Sequence, residues 1–133
     1  MMRFSHVALN CADIQAAIQF YTRHFGFEVA RRLPIGDGLE IVFLRQGDMR
    51  LELFPVGGTA AVTLADGPAT AGTLRHLAFQ VDDVDALLAA MGEAAVVTLG
   101  PMDFDSFISG WRTAWLRDPN GHIVEISQGY VDA

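Results

Sequence analysis

A single cysteine, Cys11, is all the thiol chemistry in this chain of 133 residues, so no internal disulfide is available and a reducing compartment suits it. Such a residue in an apolar segment reads as a small buried hydrophobe. Positive charge is scarce too. Lys and Arg number 9 against 16 Asp and Glu, for a net charge of −7, and no basic run occurs. A nucleic acid or an anionic membrane surface would find no electrostatic footprint. No window approaches the ~20 apolar residues of a membrane span. Met1-Met2-Arg3-Phe4 leads directly into a strand-like segment instead of a secretory apolar region. These absences predict a cytoplasmic protein without nucleic-acid or membrane partners. The remainder, 51% hydrophobic and 19% charged, is ordinary for a folded chain, and the length predicts one domain over residues 1–133.

Periodicity supplies the organisation. Residues 3–10 alternate like a strand covered on one face. Asp13 suits a helix N-cap, Ile14, Ile18, Tyr21 and Phe25 follow at helical spacing, and Gly26 ends the helix. Strand-like runs come next at 27–33, 39–46 and 49–54, the last two joined at Gln46-Gly47-Asp48. Residues 55–74, rich in Gly, Ala, Thr and Pro, read as a linker. The pattern then restarts. Residues 75–81 form a strand, Asp82 or Asp83 caps a helix with Val84, Leu87, Leu88 and Met91 on its buried stripe, and strands follow at 95–99, 112–117 and 122–127. Asp118-Pro119-Asn120-Gly121 is a strong turn between the last two. The expectation is an α+β fold: two tandem β-α-β-β-β modules, residues 3–54 and 75–128, forming a half-open barrel.

The two modules repeat in register. At an offset of 70, His6 falls on His76, Ala8 on Ala78, Asp13 on Asp83 and Ala16 on Ala86. Leu44-Arg45 matches Leu116-Arg117 at an offset of 72, and one further turn residue brings Glu52 onto Glu125 at 73. Polar residues with ligand chemistry thus recur in the same places inside strands.

Side chains alternate faces along a strand, so each candidate fixes a phase. His6 shares a face with Phe4, Ala8 and Asn10, and Glu52 with Arg50 and Phe54. His76 lies with Ala78 and Gln80, and Glu125 with Ile123 and Ser127. In each strand the evenly apolar face is the other one. His6, Glu52, His76 and Glu125 therefore sit on the mixed faces, where they can hold one divalent metal. Two imidazoles and two carboxylates suit Zn, Ni, Co, Mn or Fe, and about two positions of an octahedral shell would remain for a small-molecule substrate. Asn10, Arg50 and Phe54 share those faces and are candidate substrate contacts. Residues 100–111 read as a long loop loaded with aromatics, either a hydrophobic cap or a substrate-facing lid, and its Phe107 and Trp111 are further candidates. His24 breaks the helix stripe and His122 has the wrong phase, so both read as ordinary. Exposed sheet edges and a long linker favour a homodimer.

The stretches Ser-His-Val-Ala-Leu, Phe-Tyr-Thr-Arg-His-Phe-Gly-Phe, Arg-His-Leu-Ala-Phe-Gln-Val-Asp-Asp and Leu-Arg-Asp-Pro-Asn-Gly-His-Ile-Val-Glu-Ile resemble the glyoxalase / bleomycin-resistance / dioxygenase (vicinal oxygen chelate) superfamily. The likeness runs from residue 3 to about 128. The His, Glu, His, Glu order most resembles glyoxalase I (lactoylglutathione lyase). That resemblance implies a lyase or isomerase in which a metal polarises vicinal oxygens while a carboxylate moves the neighbouring carbon-bound proton. It makes Glu125 the favoured base and Glu52 its partner. Two positions depart from the glyoxalase I pattern: Asn10 stands where that family has Arg, and Phe54-Pro55-Val56 where it has Asn. The resemblance thus carries the metal site and not the glutathione site. The superfamily also holds Fe(II) ring-cleaving dioxygenases and fosfomycin-type thiol transferases, which need only His, His and Glu. Its metal-free drug-binding proteins lack the ligands.

Overall fold

The computed structural model describes residues 1–132. The chain forms two compact units whose boundary, between Ala60 and Ala61, falls inside the expected linker. In the first unit, β1 (Val7–Cys11), α1 (Ile14–Phe25), β2 (Glu28–Gly36), β3 (Leu39–Gln46) and β4 (Met49–Pro55) follow one another. The sheet order is β1-β4-β3-β2, with β1 parallel to β4 and the other pairs antiparallel. The second unit has β5 (Leu77–Gln80), α2 (Val84–Met91), β6 (Val96–Asp103), β7 (Arg112–Arg117) and β8 (Ile123–Gln128), with a single 3-10 turn after α2. Its sheet order, β5-β8-β7-β6 with β5 parallel to β8, is the same topology. The duplication read in the sequence is thus a duplication of fold.

Both helices begin as their sequences predict. Asp13 accepts a hydrogen bond from Ala16 N and Asp83 from Ala86 N, each at 3.0 Å, satisfying one of the amide groups that open every helix. Gly26 closes α1 in the left-handed conformation at φ 72°, which a side chain would resist. The apolar strand faces bury as expected. Leu9, Leu51, Leu53, Val42 and Leu44 are buried along with Ala17, Ile18, Tyr21 and Phe25 of α1, and Val84 and Met91 of α2 are buried along with Leu116, Val124 and Ile126. Leu87 and Leu88 are only half-buried. Each fully buried side chain of this kind contributes about 1.5–3 kcal/mol.

Several strand boundaries differ from the expectation; β2 runs to Gly36, past the expected end at residue 33. β1 and β5 start at Val7 and Leu77, because their ladders begin at Val7↔Leu51 and Leu77↔Val124 and nothing pairs with the residues before them. His6 and His76 therefore stand one residue ahead of their strands. β6 runs past Gly100-Pro101 to Asp103, since register shifts let Met102 pair with Thr113 and Asp103 with Arg112. The loop expected at 100–111 shrinks to 104–111.

Candidate functional site

In each unit the Glu lies opposite the Ala two residues beyond the His: Ala8↔Glu52 in one, Ala78↔Glu125 in the other. Parallel pairing and the shared strand phase bring each imidazole onto its carboxylate. His6 Nε2 is 3.1 Å from Glu52 Oε1, with side chains 35% and 16% exposed. His76 Nε2 is 2.9 Å from Glu125 Oε1, with side chains 20% and 12% exposed. The same atoms meet in both pairs.

Their supports differ. Behind His6, Ser5 Oγ lies 2.8 Å from Nδ1. Phe43, opposite Glu52, meets the His6 ring edge-on at 5.6 Å. Behind His76, the carbonyl of Asp66 lies 2.6 Å from Nδ1. Asp66 is itself clamped by Arg75, whose Nε reaches its carboxylate at 2.9 Å, and this guanidinium holds the Asp66 carboxyl below the usual carboxylate range. The linker thus carries a structural element that its composition did not announce. Trp115 opposes Glu125 and stands 6.3 Å, ring to ring, from His76. Thr113 donates to Glu125 Oε2 at 3.0 Å.

Hydrogen-bond chemistry indicates what the second pair is built for. A carbonyl oxygen only accepts, so His76 Nδ1 carries the proton that meets Asp66. In the neutral ring the Nε2 lone pair then faces a carboxylate oxygen at 2.9 Å. Two lone pairs at that distance repel unless a cation lies between or beside them, either a proton or a metal ion. Imidazole nitrogen plus carboxylate oxygen, the other ring nitrogen bonded to a backbone carbonyl, is the donor set and outer shell that divalent metals take. The indole N–H of Trp115 is buried and has no acceptor among the described residues. Among the described residues no three His, Cys, Asp or Glu side chains gather in one cluster; the four candidates stand as two pairs, one per unit.

The other expected residues divide. Asn10 and Phe54 are register partners on the His6–Glu52 face. Arg50, exposed on the same face, lines a cavity of about 580 Å³ with Arg3, Phe4, Ser5 and Asp48. Trp111 is drawn to the Glu125 face, its Nε1 donating to Ser127 Oγ at 2.8 Å, and it stacks with Phe104 and Tyr130. Phe107 is 77% exposed and meets only the ring of Phe104, so the structure does not bring it to either pair. Thr113, Ser5, Asp66 and Trp115 escaped the sequence reading. The phase of β7 was the available signal for Thr113 and Trp115, because both share the Glu125 face. No helix is long and apolar enough to cross a membrane among the described residues.

The profile of the Glyoxalase/Bleomycin resistance protein/Dioxygenase superfamily matches residues 3–126. Cadmium-induced protein CadI of Mycobacterium tuberculosis is 32% identical over 130 residues, covering 96% of this chain and 76% of that protein. The ethylmalonyl-CoA/methylmalonyl-CoA epimerase of Cereibacter sphaeroides is 29% identical over 132 residues, covering 95% and 97%. Among solved structures, the trypanothione-dependent glyoxalase I of Leishmania major superposes with a TM-score of 0.67 at 23% identity, covering 97% and 88%, a likeness of fold.

Proposed function

Because this chain belongs to the glyoxalase/bleomycin resistance protein/dioxygenase superfamily, we propose that it is a metal-dependent isomerase or lyase that moves a proton on a substrate chelated through vicinal oxygens. The observation that carries this reading is the repeated pair, His Nε2 on Glu Oε1 at 3.1 and 2.9 Å. His6, Glu52, His76 and Glu125 would hold one divalent ion, Zn, Ni, Co, Mn or Fe. The ion supplies positive charge where negative charge grows on the substrate oxygens. The chain's own carboxylates do the rest. One takes the proton from the carbon beside the carbonyl, and delivering it to the other face or the neighbouring carbon completes the isomerisation. Glu52 has the same relation to His6 that Glu125 has to His76, which favours a four-donor set over the three-donor set of ring-cleaving or thiol-transferring relatives.

For the substrate, the epimerase relative at nearly full mutual coverage favours a CoA thioester. Asn10 and Phe54 disfavour the glutathione adduct, because an amide and a ring cannot replace the charge-assisted contact of an Arg to a carboxylate. The test is deuterium wash-in from D2O at the carbon beside the carbonyl, followed by NMR, with protein loaded with cobalt, nickel or zinc. We expect metal-dependent exchange on methylmalonyl-CoA, slow exchange on the hemithioacetal of methylglyoxal and glutathione, and none on either when both Glu52→Gln and Glu125→Gln are present. Fully loaded protein that exchanges neither substrate would overturn the activity, and fast exchange of the glutathione adduct would overturn its exclusion. The working form is taken to be a homodimer, which supplies two copies of each pair; a monomer by sedimentation at micromolar concentration would contradict that.

A further inference from the structure

We infer that the cavity beside the first His–Glu pair is a nucleotide site: Arg3 and Arg50 hold phosphates, Phe4 stacks the base, and Asp48 accepts from a hydroxyl or amino group. Its use for the far end of a CoA thioester rests on the activity proposed above; the binding of a nucleotide does not. The cavity, about 580 Å³, is lined by Arg3, Phe4, Ser5, Asp48 and Arg50, all in the first unit. Sites for small organic molecules run to roughly 300–1,000 Å³. It adjoins the pair, because Ser5 Oγ lies 2.8 Å from His6 Nδ1. Phe4 is 79% exposed, an aromatic face on which any base can stack. The chain's basic residues are all arginines, and Arg32, Arg45, Arg75 and Arg112 are taken by carboxylates. Among the described residues Arg3 and Arg50 have no acid partner, although Asp48 lines the same cavity.

Charge placement gives the reason to expect an anion. Arg50 is the register partner of Arg45 across β3 and β4, and like charges directly opposite one another destabilise a sheet. Glu28 neutralises Arg45 at 2.7 Å, and nothing among the described residues does this for Arg50. Arg3 brings a second positive charge to the same cavity, in a chain whose net charge is −7. Guanidinium groups suit phosphate, because their parallel N–H groups match its oxygens. Asp48 argues against a bare phosphate, since a carboxylate beside an anion repels it. A nucleotide resolves the conflict: its ribose hydroxyls and base amine donate to the carboxylate while its phosphates face the arginines. The duplication by itself does not require this chemistry. At the offsets that relate the halves, Arg3, Phe4 and Ser5 fall on Thr73, Leu74 and Arg75, and Arg50 falls on Ile123, which is 4% exposed. Ile123 is the register partner of Arg117, so no like-charged pair forms there.

Calorimetric titration of the whole chain with ADP, adenosine and inorganic pyrophosphate tests the site without any added metal. ADP should bind roughly 10-fold or more tighter than either of the others, because each lacks half of the contacts. Phe4→Ala should weaken ADP binding roughly 5–100-fold, the usual worth of a stacked base. Arg3→Gln and Arg50→Gln should each weaken it roughly 10–100-fold, the usual cost of losing a charged hydrogen-bond partner. ADP should also shift the NMR signals of the His6 ring, through Ser5. The site is overturned if ADP does not bind at millimolar concentration, or if both arginine variants bind it as wild type does. Pyrophosphate binding as tightly as ADP overturns the nucleotide and leaves an anion site only. Should a variant fail to fold, the comparison of the three ligands on wild type still decides. Deuterium exchange on metal-loaded protein then separates the site from the activity. The KM for methylmalonyl-CoA should lie roughly 10-fold or more below that for methylmalonyl-pantetheine, which lacks the nucleotide, and Arg50→Gln should erase the difference. Equal KM values in wild type overturn the use of the site for substrate and leave the activity standing. Wild type that binds ADP as expected but exchanges neither thioester supports the site and overturns the activity.

Discussion

His6 leans on a serine hydroxyl and His76 on a backbone carbonyl, while Glu52 has apolar Phe43 and Ile41 along its face where Glu125 has Trp115 and Thr113. The two units share topology, capping residues, the pair of atoms in contact and an aromatic ring set edge-on to the imidazole, yet the hydrogen-bond partners of the pairs differ. The second unit also ties its helix down. Arg112 on β7 reaches Asp85 of α2 at 2.8 and 3.0 Å and Asp103 of β6 at 3.1 Å. The position in register with Arg112 in the first unit is Glu40, which pairs with Arg32 on the neighbouring strand alone. At the His–Glu pairs the second unit is the more braced, while α1 of the first unit is tied by Gln46 on β3, whose Nε2 donates to the Phe25 carbonyl at 2.6 Å.

Where the halves are alike, equal damage should follow. Leu53 and Ile126 are both fully buried in strands that carry a candidate ligand. Leu53→Ala and Ile126→Ala should each cost about 2–5 kcal/mol, measured by denaturant unfolding with hydrogen exchange to locate the loss. A cost below about 1 kcal/mol for either would mean that half has no such core.

Where the halves differ, damage should be one-sided. Gly67 has φ +116°, and a Cβ there would lie 1.7 Å from the Arg75 carbonyl oxygen. Gly67→Ala must displace the segment that carries the Asp66 carbonyl onto His76. We expect a cost on the order of 1–3 kcal/mol, with the NMR signal of His76 Nδ1 changed and that of His6 unmoved. Equal change at both rings would erase the distinction between the more braced pair and the other.

The smallest effect concerns Arg112, whose hydrogen bonds hold the Asp85 carboxyl below its ordinary range. A carboxyl lowered in the folded state adds stability that is present at neutral pH and lost as the pH falls through the lowered value. Arg112→Gln should therefore reduce stability modestly at pH 7, because the pair is exposed, and the gap to wild type should close in acid. A gap that is constant down to the acid transition would show that Arg112 acts by packing alone.

Local pattern carried much of this. The helical spacing from Ile14 to Phe25 and the caps at Asp13 and Asp83 are nearest-neighbour properties that appear where the pattern puts them, and alternation places β4 and β1, although it starts β1 at residue 3 and the ladder starts at Val7. The same alternation gave the shared phase of His6, Glu52, His76 and Glu125, whereas the pairing of each His with its Glu is seen only in the structure. Alternation could not end β6 at the right place, because the continuation of that strand past Pro101 depends on a register shift against β7. Nor could it separate Phe107 from Trp111, since both are aromatics in one loop and only the bond to Ser127 tells them apart.

The surroundings of the two carboxylates lay furthest from the sequence. Resemblance made Glu125 the favoured base, on grounds of position in a motif. Thr113 reaches the second oxygen of Glu125 from 12 residues away, across the antiparallel pair β7–β8, and the turn between these strands signals their pairing without naming that bond. The Asp66 carbonyl behind His76 is likewise a main-chain group, identical in every residue type and so invisible to composition. Chain pattern by itself determined the duplication, the element order and which four side chains share the mixed faces, because periods of 2 and 3.6 are written residue by residue. Tertiary structure alone decided which pair is braced, because hydrogen bonds between distant segments depend on distances of tenths of an ångström that only packing sets.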